Sequence, residues 1–598
     1  MTQGRDVSPA GVSRRALLGA SAGLAAASTA GCIQQIGRLV GASAPGQLSL
    51  TVKSVPADAD AVATRMARQL VKHLERVGVD AQIELQPPRE LRKDVLLDGE
   101  YDLYVGRLPT RADPDMLRPL LHSVFEGEVG WQNPFSFTDI AVDDHLTAQR
   151  RTTGVHREQV VADLQREVAS KQPFGTLVVP NEIWATRTDR FTGWNRYSPT
   201  DPRSYFALET RGTDGTAEPR LRVTTTNVAP TRNLNPLAVQ HRMQDSFTSL
   251  LYDPLARRID GELTPWLAQD WSWQQAGADA VATVQLRPSL TWHDGRDLTA
   301  SDVAFTHRFL DDTLLGSGET AAPSPRFRGR SSLVDEVTET GDRTVRFRCP
   351  DTSVEVATRT LTVPVLPEHV WSQQTVPASP AWTDGSETTS AALTWPNPKP
   401  VGSGAVQFEG RADGESLVLT RFDDHFLHRA TTPAVPDVVA DGLAFEQLSV
   451  RVVPSDHAAV QLLSADQADA TAMRIAPDSV PRVGQDDGLE LHVADGRELY
   501  HVGFNTQRPP LGNPHVRRAI VRLLDKRHMA KTIFDGYAQP ASTPLAGTDW
   551  VPTALRWDGS DPEVPFVGDD GVLDEELARE LFRDAGLEYG DEGRLLDR

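Results

Sequence analysis

The chain has 598 residues, 39% of them hydrophobic and 7% aromatic, with a formal net charge of −21. That length exceeds what one hydrophobic core usually serves, so a globular protein of two or three lobes is expected. The acidic balance argues against nucleic acid as a partner, because a phosphate backbone selects a surplus of Lys and Arg, and two cysteines exclude a disulfide framework or a cysteine-based zinc cluster.

In chain order, Ser13, Arg14 and Arg15 precede a short run of small apolar residues that closes on Thr29, Ala30, Gly31 and Cys32. The run is too short and too rich in Ala and Gly to span a membrane. It resembles a twin-arginine export signal, and its end resembles the lipobox of exported lipoproteins, in which the cysteine takes a diacylglycerol. Cys32 is therefore the expected lipidation site. Residues 33–46 read as a tether, and the body is expected at the outer face of the cell membrane, lipid-anchored. No later stretch reaches the length of a transmembrane helix.

The body opens with a strand at 48–52. A helix at 61–77 follows, with Val62, Met66, Leu70 and Leu74 on one face and Gly78 as its stop, and then strands at 79–85 and 101–105. Strand, helix, strand is the pattern of a mixed α/β lobe. Residues 206–219 lose periodicity and read as a linker. Beyond it come strands at 221–225, 281–286 and 345–347, and helices at 240–251, 514–524 and 577–585. Residues 373–403 read as a surface excursion. Cys349 falls on an alternating segment and is expected as a buried or half-buried thiol without a role.

Several segments then carry a resemblance. They are Asn233, Leu234, Asn235 and Pro236; Leu286, Arg287 and Pro288; Trp292, His293, Asp294 and Gly295; Leu298 to Val303; Gly402 to Ala405; and Gly503 to Gln507, continuing to Arg527. In that order they resemble the dipeptide-, oligopeptide- and nickel-binding family (family 5) of solute-binding proteins of ABC importers. The resemblance implies an α/β fold of two lobes, the periplasmic-binding-protein-like type II fold, with a hinge between the lobes and an extra subdomain in the first. It further implies a monomer that captures a peptide between the lobes and delivers it to an ABC transporter permease. No catalysis, cofactor or metal is implied. A sensing receptor of the same fold, or a binder of a nickel chelate or oligosaccharide, is the alternative.

The N-terminal part resembles the family's second half. Gly99, Glu100, Tyr101 and Asp102 look like its second-lobe strand entry, and Asp113 and Pro114 like the Asp-Pro element after it. The helix at 577–585 looks like the one that, in the family, precedes the strand found here at 48–52. A circular permutation is the economical explanation of this order; an unrelated N-terminal domain, or a truncated member with a partial duplication, is the alternative. The expected partition is signal and tether at 1–46, second lobe at 47–175 and 501–598, first lobe at 176–261 and 400–500, and the extra subdomain at 262–399. The join falls at 206–219.

The same resemblance suggests the ligand contacts. Asp113 would anchor a peptide amino group, with a helix N-cap as its ordinary alternative. Trp131 and Asn133 would lie near the cleft, Tyr500 and Asn505 would flank the strand that crosses the hinge, and Ser403 and Gly404 belong to a turn that is structural or ligand-facing. No arginine follows the strand at 48–52, so a partner for a peptide carboxylate is missing. Phosphate-loop, serine-hydrolase and zinc-protease motifs are absent from the sequence.

Overall fold

In the computed structural model the described residues are 46–110, 113–128, 132–211, 219–238, 246–378, 389–429 and 435–597. The export signal, Cys32, Trp131 and residues 212–218 of the 206–219 join lie outside them. Strand Ser49–Ser54, helix Ala57–Arg76 and strand Asp80–Leu85 follow one another, and the two strands pair in parallel. Met66, Leu70 and Leu74, one helical turn apart, are fully buried on the helix face that covers the sheet. Asp60 starts the regular part of that helix by accepting from the N–H groups of Val62 and Ala63. Gly78 ends it at φ +89°, where a Cβ would meet the carbonyl oxygen of Gly593 at 2.2 Å.

The second lobe is built on a five-stranded sheet. Its order is Asp80–Leu85, Ser49–Ser54, Leu103–Pro109, Glu498–Phe504, Phe174–Thr176. Strand Glu498–Phe504, from the C-terminal part of the sequence, therefore lies between two strands from the N-terminal part. Strand Ser49–Ser54 also shares a core with the C-terminal helix Glu575–Asp584: Leu48, Leu50 and Val52 belong to the same buried cluster as Ala578 and Phe582. The Leu48 N–H donates to the Leu595 carbonyl at 2.7 Å, and Gln47 bridges Leu596 in antiparallel fashion.

The first lobe carries a seven-stranded sheet. Its order is Val406–Ala412, Ser416–Arg421, Gln447–Val452, Arg220–Thr225, Ala470–Thr471, Glu182–Arg187, Leu489–Ala494. Its core runs without a break into a four-stranded antiparallel sheet, Ala268–Ala276, Asp279–Leu286, Thr344–Cys349 and Glu336–Gly341, which forms a subdomain. Cys349 is buried there, and burial pushes its thiol up to about 12. The helix expected at 240–251 appears as Ser246–Leu251, and the residues before it lie outside the described ones. No helix among the described residues is long and apolar enough to cross a membrane.

The chain passes between the lobes in two neighbouring places. One is Asn181, between strand Val178–Pro180, which pairs with Ala538–Pro540 of the second lobe, and strand Glu182–Arg187 of the first. The other is residues 495–497, between strands Leu489–Ala494 and Glu498–Phe504. These lie a few residues from the boundaries expected at 175/176 and 500/501. The two passages touch at Gly496, where a Cβ would sit 1.9 Å from the Pro180 carbonyl oxygen.

Candidate functional site

Above the two crossings lies a cleft of about 1440 Å³. The second lobe contributes Asp113, Arg157 and Trp550 to its walls, the first lobe Trp184, Tyr197 and Arg203, and the subdomain Glu355 and Arg359.

At one end the second lobe and the subdomain are held together by ion pairs. Helix Gly154–Lys171 carries Arg157, which bonds Asp113 at 3.0 Å and Glu355 of the subdomain at 2.8 Å. Arg359 reaches from the subdomain to Asp113 at 3.7 Å and bonds Asp115. Asp115 is fully buried and also accepts from Arg150 at 2.6 Å and Gln149 at 2.6 Å. Burial alone would raise its pKa. Arg150 and Arg359 outweigh burial and hold the carboxyl below its ordinary value. Arg328 of the subdomain bonds Glu128 of the second lobe at 2.8 Å. This set of pairs is a clasp between the second lobe and the subdomain.

Toward the hinge the first lobe supplies a second cluster. Asp201 is 3% exposed and takes a forked bond from Arg203 and a bond from Arg497 at 2.5 Å. Burial pushes its pKa up, but the two guanidinium groups bring it down to about 2. The Arg203 guanidinium lies 4.5 Å from the Tyr197 ring, and the Tyr197 hydroxyl donates to Asp260 at 2.5 Å. Burial, with Asp260 beside it, lifts that hydroxyl to about 12. Glu182 and Glu498 stand one on each crossing; burial first, then Glu498, raises the Glu182 carboxyl. Trp184 stacks on His492 with ring centroids 5.1 Å apart, and its buried Nε1–H finds no acceptor among the described residues.

The family model for bacterial extracellular solute-binding proteins, family 5 Middle, matches residues 262–596, more than half of the chain. The chain belongs to that family. Among curated relatives, the dipeptide-binding protein of Escherichia coli K12 is 24% identical over 344 residues, 55% of this chain and 56% of its own length. The di/tripeptide-binding protein 2 of Pseudomonas aeruginosa is 25% identical over 357 residues, 57% and 59% of the two lengths. The chain thus spans about half the length of the curated relatives it matches. Among solved structures, the oligopeptide-binding protein AppA of Bacillus subtilis with a nonapeptide aligns over 64% of this chain and 66% of its own, at 18% identity and a TM-score of 0.46.

Of the ligand contacts expected for this family 5 protein, Asp113 lines the cleft. Its carboxylate is engaged by Arg157 and Arg359, and it also caps the turn Pro114–Leu117 through the Asp115 N–H at 2.9 Å. The other described ones lie elsewhere. Asn133 sits at φ +42°, and its side chain ties the N–H and carbonyl of Phe137, a local turn that asparagine tolerates. The buried Tyr500 hydroxyl donates to Asp60. Asn505 donates to the Gly99 carbonyl at 2.9 Å.

Ser403 and Gly404 are taken up by packing. A Cβ on Gly404 would meet the Leu250 carbonyl oxygen at 1.9 Å, and the Asp253 N–H donates to the Ser403 hydroxyl at 3.3 Å. His293 locks the same turn from the other side, through Nδ1 to the Gly402 N–H at 3.1 Å and Nε2 to the Gly404 carbonyl at 3.0 Å. Burial lowers its pKa to about 4. Sequence reading missed the arginines that supply the cleft's cations. They come from positions as distant as 157, 203, 359 and 497, and no local spacing marks them.

Proposed function

We propose that this family 5 protein captures a small solute between its lobes, peptides first among the classes considered, and delivers it unchanged to the permease of an ABC-type importer. The observation that carries the reading is the cleft itself: its walls belong to both lobes and its floor is the pair of chain crossings. A ligand touching both walls favours the closed arrangement over the open one, and closure is the signal a permease can read. Membership of a solute-binding family supports capture rather than catalysis, and relatives named for dipeptide binding support peptides. Native mass spectrometry of the chain, purified gently from its own envelope, tests this. A peptide ladder released on denaturation is the expected result; a chemically altered product, or nothing bound, would count against it.

Two further parts of the reading concern the chain's layout. Export by the twin-arginine route and lipidation at Cys32 are supported by the sequence of residues 13–32; a Cys32→Ser variant should leave the membrane fraction. Circular permutation is supported by the place of strand Glu498–Phe504 between N-terminal strands of the second-lobe sheet and by the core that strand Ser49–Ser54 shares with helix Glu575–Asp584. Re-joining residues 221–597 to residues 47–206 in that order should give a chain that folds and retains the same solute. An unfolded product would break the permutation reading and leave capture intact.

A further inference from the structure

The chain carries a net charge of −21, yet among the described residues its cleft is lined by eight arginines and four carboxylates and by no lysine. Much of that charge is already committed. Arg157 and Arg359 bond Asp113, Asp115 and Glu355, and Arg330 bonds the carbonyl and hydroxyl of Thr362. Arg203 and Arg497 share the single carboxylate of Asp201, with Asp260 and Glu182 acting on them from further off.

Three others are different. Arg196, Arg258 and Arg556 have no carboxylate within 4.0 Å among the described residues. Arg258 donates to the Gly261 carbonyl at 3.1 Å and Arg556 to the Val551 carbonyl at 3.3 Å, so most of each guanidinium fork is unused. Arg196 and Arg258 belong to the first-lobe wall and Arg556 to the second-lobe wall. The remaining lining carboxylates, Asp495 and Asp549, have no cationic partner among the described residues, and two anions do not balance these cations. Trp184 adds a buried donor without an acceptor.

We propose, resting on the capture reading above, that the cleft selects solutes of net negative charge, rich in carboxylates, with an acidic peptide as the form that fits that reading. Guanidinium forks on opposite walls bind planar carboxylates two bonds at a time and so reward closure. A basic cleft in an acidic protein concentrates the field where the ligand must go, and added salt weakens it.

Calorimetry on the full chain with four probes tests this: triglutamate, trialanine, trilysine and propane-1,2,3-tricarboxylate. Triglutamate should bind about tenfold more tightly than trialanine, trilysine should bind least, and the spread should shrink as salt is added. The variant Arg196→Gln, Arg258→Gln, Arg556→Gln should bring triglutamate down to trialanine. Arg232→Ala, an exposed residue paired with Asp413 and absent from the lining, should change nothing. Binding of the tricarboxylate without triglutamate would keep the charge assignment and move the source from peptides to free polycarboxylates. Trialanine or trilysine binding as well as triglutamate would overturn the proposal, as would binding by none of the four. Native mass spectrometry then reads the capture function separately: a released neutral or cationic solute leaves capture standing alone, and no released solute removes both.

Discussion

At the clasp, Arg150, Arg157 and Arg359 stand within bonding distance of Asp113, Asp115 and Glu355. On the walls nearby, Arg196, Arg258 and Arg556 have no carboxylate within 4.0 Å among the described residues. The residue type is the same, and the surroundings set the role. A paired, buried guanidinium is spent on holding the second lobe against the subdomain, and taking away its partner strands a charge out of water. An unpaired one on a wet wall contributes little to stability and stays available to something that arrives from solution.

The strongest way to break that comparison is Asp115→Ala. It leaves Arg150 and Arg359 without their shared buried anion, and denaturant unfolding should show a loss of about 3–5 kcal/mol; a near-neutral result would mean the clasp carries no load. Gly496→Ala tests the floor instead of the clasp. Its Cβ would have to displace a backbone oxygen 1.9 Å away, and a loss of up to about 3 kcal/mol, with weaker solute retention, is expected.

Acid sharpens the contrast by titration. Asp201 in the folded protein titrates at about 2 against an ordinary 3.8, so its stabilisation is complete above the ordinary value and lost as pH falls toward 2. That contribution is about 2 kcal/mol, and an Asp201→Asn variant should show a stability profile flatter than the parent's across that window. The smallest effect belongs to the free wall. Arg196→Gln, Arg258→Gln or Arg556→Gln alone should shift stability by no more than about 0.5 kcal/mol in thermal unfolding, because each side chain is exposed.

The parts of the fold legible in the sequence are those written in local periodicity. Met66, Leu70 and Leu74 announce their helix, Gly78 its end, and the alternation around Cys349 its strand. The pairing of Ser49–Ser54 with the C-terminal helix was reached through resemblance, since nothing local links residue 50 to residue 582. The cleft was the least legible part. Asp113 lines it, but the neighbours that occupy its carboxylate, Arg157 and Arg359, are brought to it only by the fold. The fragments that carried the family resemblance most strongly proved to be packing elements. Trp292 is fully buried, and His293 and Gly404 brace one turn. Such motifs mark how the lobe is built, and ligand-facing residues are free to differ.

The bridge between Gln47 and Leu596 has a mechanical consequence. In an antiparallel pairing these two residues lie at the same end of the contact, so tension applied between them peels the hydrogen bonds apart one after another instead of shearing them together. In an optical trap with handles at residues 47 and 597, the second lobe should therefore give way first at low force, while the first lobe, inserted in the chain between residues 181 and 494, ruptures later as a separate step.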